Sequence, residues 1–140
     1  MNIHLTRRYR FPASHRLHTP AMSEEMNCAT FGKCNNPHGH GHNYALEITV
    51  SGPVDPVTGM VINLGELDPL VNETIVARYD HADLNSLPEF KDVVPTTENL
   101  CKEIHKRLSQ KFNGIKLERV RIEETRKNSF VYAGEGMITI

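Results

Sequence analysis

The chain has 140 residues, 39% hydrophobic and 24% charged, with a formal net charge of -1 from 16 basic and 17 acidic residues. One domain over residues 1–140 with a single core suits that length, and the charge balance argues against nucleic acid as the main partner, which would favour a basic excess. Three cysteines cannot all pair; with no signal peptide and no run of roughly 18 apolar residues, a reducing cytoplasmic setting away from membranes is expected.

Residues 2–13 alternate, with Ile3, Leu5, Tyr9 and Phe11 on one parity and His4, Thr6, Arg8 and Arg10 on the other. That is the pattern of a half-buried strand. Continued to Ser14-His15, it puts His15 on the apolar side. Residues 18–38 have no period and read as a long loop, of the kind that is usually functional or disordered. The loop runs into Cys34-Asn35-Asn36-Pro37-His38-Gly39-His40-Gly41-His42-Asn43-Tyr44, the most informative stretch of the chain. Residues 42–51 read as a second strand, and His40 and His42 keep the parity of its apolar face, Tyr44, Leu46, Ile48 and Val50.

Gly52-Pro53 and the segment from Asp55 to Gly59 are turn signals. Residues 66–79 predict a helix with Pro69 in its first turn. Residues 98–112 predict another, capped by Thr96 or Thr97, with Leu100, Ile104, Leu108 and Phe112 repeating every four residues. Cys101 falls on that helix as core. Residues 116–125 and 129–140 predict two more strands. The order gives an α+β layer: an antiparallel four-stranded sheet with two helices inserted between strands 2 and 3 on one face.

His15, His40 and His42 are expected to converge where the end of the first strand meets the start of the second. Residues two apart in a strand face one side, and the flanking glycines leave room for an ion. Three imidazoles leave one tetrahedral position open, which suits catalytic zinc, although iron, nickel or copper accept the same ligands. Cys34 reads as a fourth ligand, a catalytic thiol or a plain loop residue. Asp80-His81 reads as an acid/base couple or as a helix end with a capping histidine. Glu124 falls on an inward parity and needs a partner, either an internal Arg or a ligand with two parallel N–H donors.

These residues in this order resemble the 6-pyruvoyl-tetrahydropterin synthase family. The likeness is carried by Phe11-Pro12-Ala13-Ser14-His15-Arg16-Leu17, the run from Cys34 to Tyr44, the segments 59–64 and 79–85, Pro95-Thr96-Thr97-Glu98-Asn99-Leu100, and Glu124-Thr125, so it covers essentially the whole chain. The resemblance implies the tunnelling fold, with trimers closing their sheets into a barrel, two trimers stacked as a homohexamer, and active sites between subunits. It implies zinc on His15, His40 and His42. It implies Glu124 as the anchor of the pterin's 2-amino-pyrimidinone edge, helped by Thr96 and Thr97, and Cys34, Asp80 and His81 as the proton-transfer group.

The implied reaction converts 7,8-dihydroneopterin triphosphate to 6-pyruvoyl-tetrahydropterin with loss of triphosphate, as in tetrahydrobiopterin biosynthesis. The alternative is the 6-carboxy-tetrahydropterin synthase reaction of queuosine biosynthesis, which also releases acetaldehyde; the Asn35-Asn36-Pro37 insertion resembles the pyruvoyl enzymes. A non-catalytic metal-binding scaffold would explain the histidines but not the thiol, the Asp-His pair and Glu124 together. His38 departs from the small polar residue common in animal members, and no role is expected of it.

Overall fold

The computed structural model describes residues 2–135. Strand β1 (Asn2–His15) pairs antiparallel with β2 (His40–Pro53) over its whole length, from Asn2 opposite Pro53 to His15 opposite His40. Both strands are longer than the sequence alternation alone marks. Strand β4 (Lys116–Glu123) pairs antiparallel with β2, and β5 (Ser129–Tyr132) with β4. A register shift between Thr49 and Val50 lets both Leu117 and Val120 turn inward despite their opposite parity.

The sheet has five strands, not the four expected, because a short β3 (Ala82–Asp83) is added to give the order β3-β1-β2-β4-β5. It runs parallel to Ala13 and Ser14 at the sheet's edge. Two residues are too few to leave a periodic signal. Residues 136–140, which include the Met137-Ile138-Thr139-Ile140 end of the last predicted strand, lie outside the described residues.

The expected loop 18–38 contains a helix, α1 (Glu24–Phe31), capped by the Ser23 side chain, and a 3-10 turn, Gly32–Asn35. The buried residue of α1 is polar: Asn27 donates to the carbonyls of Thr19, Met22 and Ser23 and accepts from the Thr19 N–H. Hydrogen bonds thus fix this segment without an apolar stripe.

Helix α2 (Leu64–Val71) is capped by Asn63 and runs on through a π-helical stretch, Asn72–Val76, into a last turn, Ala77–Tyr79. It starts earlier than the predicted residue 66, so Pro69 lies inside the helix and not in its first turn. Lacking an N–H, Pro69 leaves the Gly65 carbonyl without its helical donor. Helix α3 (Thr97–Ser109) is capped by the Thr96 hydroxyl on the Asn99 N–H, 3.1 Å.

Both helices cover one sheet face. The core joins Tyr9, Phe11, Tyr44, Leu46, Ile48 and Ile122 of the sheet to Leu67, Ile75, Leu100, Ile104 and Leu108 of the helices. Cys101 is buried there, as expected, with its thiol toward the Val120 and Phe130 carbonyls. The other face is polar: Arg8 pairs with Glu123, Arg121 with Glu47, and Thr6 with Thr49. Among the described residues, no helix is long and apolar enough to cross a membrane.

Candidate metal centre and active site

The β1–β2 register builds the histidine cluster. His15 lies opposite His40, and His42 opposite Ala13, so the three imidazoles share the core-facing side of the sheet's end. Their ring centroids form a triangle of 4.7, 5.1 and 4.8 Å, and the candidate ligand atoms all lie within 4.8 Å of one another. His15 is buried, and its Nδ1 lies 2.7 Å from the Pro95 carbonyl. A proton on Nδ1 would satisfy that carbonyl and turn the lone pair of Nε2 toward His40 Nε2, 3.2 Å away. The buried Nδ1 of His40 has no partner.

Burial pushes His15 below the usual imidazole range, and the neighbouring imidazoles push the same way, against the Pro95 carbonyl and Glu124. His42 is lowered chiefly by burial, against the pull of Glu124. Neutral rings with inward lone pairs are what a metal ion needs. The group can hold one.

The glycines serve differently from expectation. Gly39 has φ 72°, and a Cβ there would sit 3.2 Å from the His15 carbonyl oxygen, so glycine is needed to turn the chain tightly onto β1. Gly41 alternates to the opposite face from His40 and His42, so its missing side chain does not border the imidazoles.

Glu124 follows β4 directly, half-buried on the histidine side. Its carboxylate accepts from the Thr97 hydroxyl and from Asn128 Nδ2 at 3.3 Å, and its N–H donates to the Asn128 carbonyl. The partners are therefore two uncharged residues and not an arginine. Thr97 is buried, while Thr96 spends its hydroxyl on the helix cap. The segment from Pro95 to Thr97 thus touches both a histidine and the carboxylate.

Cys34 sits in the 3-10 turn before β2, half-buried, with its carbonyl accepting from Leu17 N–H at 2.7 Å. Burial first, and the Glu124 charge second, push its thiol up. Tyr44 is fully buried, its hydroxyl 3.5 Å from His15 Nδ1, and burial and Glu124 hold it protonated. His38 is exposed.

Asp80 and His81 form a pair, with Nδ1 3.1 Å from the carboxylate, but both are solvent-exposed. His81 is the one non-glycine at positive φ among the described residues, 56°, and its N–H donates to the Pro12 carbonyl at 2.6 Å. It lines a shallow cavity of about 290 Å³ with Pro12, Ala13, Ser14, Gly41, His42 and Asn43. Ala82, the next residue, pairs with Ala13, so His81 beside Pro12 takes the parity opposite the imidazoles at the edge of the sheet, although His42 borders the same cavity. One chain brings together His15, His40, His42, Cys34, Glu124 and Thr97; it does not bring Asp80 and His81 to them.

Sequence reasoning missed Tyr44, Asn128 and the Pro95 carbonyl as site neighbours. The Tyr44 parity and the short Glu124–Asn128 turn were available signals; a backbone carbonyl leaves none.

A sequence model of the family described as 6-pyruvoyl tetrahydropterin synthase matches residues 4–135. A 6-pyruvoyl tetrahydrobiopterin synthase of Poecilia reticulata is 47% identical over 133 residues, 94% of this chain and 90% of that one. The Homo sapiens protein of the same name is 46% identical over 132 residues, 94% of this chain and 91% of that one. The structure of Caenorhabditis elegans 6-pyruvoyl tetrahydropterin synthase superimposes with a TM-score of 0.90 at 37% identity, covering 96% of this chain and 97% of that one. A putative 6-carboxy-5,6,7,8-tetrahydropterin synthase of Archaeoglobus fulgidus is 41% identical over 85 residues, 61% of this chain and 67% of that one.

Proposed function

The chain belongs to the 6-pyruvoyl tetrahydropterin synthase family, and on that footing we propose that it converts 7,8-dihydroneopterin triphosphate to 6-pyruvoyl-tetrahydropterin, as a lyase that expels triphosphate. The observation that carries this reading is the single-sided assembly of three convergent imidazoles, a thiol and a carboxylate held by a buried threonine.

His15, His40 and His42 would hold zinc, which when bound supplies a Lewis acid for the substrate's side-chain oxygens. Cys34 takes the proton from the adjacent side-chain carbon. Asp80 orients His81, which moves protons to and from the side-chain oxygens. Glu124 receives the parallel N–H donors of the pterin edge, and Thr97 fixes which way its carboxylate points. That sets which carbon stands before the thiol.

Because His81 is tied to Pro12 at the edge of the sheet and pairs with Asp80 rather than with Cys34 or Glu124, its service at the site calls for a second copy. This supports sites shared between subunits, in a trimer-based hexamer whose strands close a barrel. The pyruvoyl product is favoured over the carboxy product by relatives that match over 94% of this chain, against 61% for the carboxy relative. The Asn-Asn-Pro segment between Cys34 and the histidines points the same way; Asn36 folds it into a turn by accepting from His38 and Gly39 N–H groups.

The test is a product assay. Zinc-loaded protein is incubated anaerobically with dihydroneopterin triphosphate and the products are identified by mass spectrometry. A pyruvoyl pterin without acetaldehyde is expected; a carboxy pterin with acetaldehyde would move the chain to the other branch.

A further inference from the structure

Arg78, Tyr79 and Glu89 take no part in the chemistry above, yet they make a dense polar cluster beside it. The Glu89 side chain is only 6% exposed. Arg78 donates from Nε and Nη2 to its two oxygens, each at 2.6 Å, from a position eleven residues away. The Tyr79 hydroxyl donates to Oε2 at 2.8 Å, and Arg107 Nη2 stands 3.3 Å from the same oxygen. Both carboxylate oxygens are therefore engaged by fixed donors, the bidentate arginine being the strongest kind.

The place of this cluster in the chain gives it meaning. Arg78 and Tyr79 are the last residues of the α2 helical run, and the next two are Asp80 and His81. Glu89 comes from the 3-10 turn Pro88–Phe90, beyond β3 and the turn Leu84–Ser86. The clamp therefore closes the base of the loop that carries the Asp-His pair. On the far side, β3 ties the loop to Ala13 and Ser14, and the His81 N–H is bonded to Pro12. Between these two ties His81 sits at φ 56°, a conformation that a non-glycine residue keeps only where its surroundings over-determine it.

We propose that Glu89 is a positioning residue. Its clamp on Arg78 and Tyr79 fixes the backbone that presents Asp80 and His81. The catalytic part of this rests on the reading of Asp80-His81 as the proton-transfer pair; the conformational part does not.

The experiment pairs amide hydrogen exchange over residues 78–84, read by mass spectrometry, with steady-state kinetics on dihydroneopterin triphosphate. It uses the full chain as Glu89→Gln and Tyr79→Phe, with Glu103→Gln, which strips only the outer partner of Arg107, as the comparison. For Glu89→Gln, exchange at the His81 amide should rise about tenfold and kcat should fall by on the order of 10- to 100-fold, the scale of small displacements of a reacting group. KM and metal content should not move, because Glu124 and the histidines lie on the other face. Tyr79→Phe should shift both readouts the same way by less, and it carries the test if Glu89→Gln does not fold. Glu103→Gln should match the wild type. Unchanged exchange over 80–82 overturns the proposal, as does a lowered melting temperature with kcat intact. If the wild type does not turn the substrate over, the functional reading fails, and exchange alone decides the clamp.

Discussion

The half-buried Cys34 thiol is pushed up by burial and by the Glu124 charge, so at neutral pH the metal-free chain holds it protonated. A cation on the histidines would oppose both effects. In the metal-free protein, alkylation of Cys34 by iodoacetamide should therefore rise with pH to a midpoint above that of an ordinary thiol, and zinc should lower that midpoint. Peptide mass spectrometry across a pH series reads both. Cys34→Ala should keep its metal in a chelator competition while losing turnover by about 10²–10⁴-fold, the range for a removed proton-transfer group. Loss of the metal would instead make Cys34 a ligand.

At the scale of elements, the link between α2 and β3 turns on His81. Its left-handed backbone costs a non-glycine residue roughly 1–2 kcal/mol. His81→Gly should therefore be more stable than His81→Ala by about that amount, the reverse of the usual order for these two residues, as read by urea midpoints. Both variants should be equally inactive. The Glu89 tie adds a pH dependence. Chiefly through the Arg78 hydrogen bonds, its carboxyl is lowered from 4.5 to about 2. On acidification the unfolded chain takes up the proton first, so the stabilisation is complete above about pH 4.5 and is lost as pH falls toward 2. The stability gap between wild type and Glu89→Gln should shrink across that window, by on the order of 3 kcal/mol. A gap independent of pH would mean the pairing contributes nothing through charge.

These elements also mark what the sequence could disclose. The parity that places Phe11 and Tyr44 in the core extends without a break to His15, His40 and His42, so the cluster was legible in the sequence itself. Glu124 was legible one residue past its strand for the same reason. Helix α1 was not, because its fixed point is a buried asparagine bonded to carbonyls rather than an apolar stripe. The face occupied by Asp80 and His81 was not, because a residue between a helix end and a two-residue strand has no parity to read. Their backbone is set instead by Glu89 and Pro12, partners distant in sequence.

At the scale of the whole molecule, the proposed reaction would draw on groups from both faces of the sheet. The histidines, Cys34 and Glu124 are on the helix-covered side, and Asp80-His81 lies at the sheet's edge on the opposite parity, so a proton relay that uses all of them would draw on two copies. This has a consequence that a self-contained site would not share. Cys34→Ala and His81→Ala chains should each be inactive alone, but unfolded together and refolded as mixed oligomers they should bring intact Cys34 of one copy beside intact His81 of another. With random closed assembly, roughly a quarter of the sites regain both groups. Turnover should return to about that fraction of the wild type, and only after co-refolding, because preformed oligomers that are merely mixed keep their defects. Activity that stays at the level of the separate variants after co-refolding, with mixed oligomers demonstrated by mass, would place the whole relay within one chain.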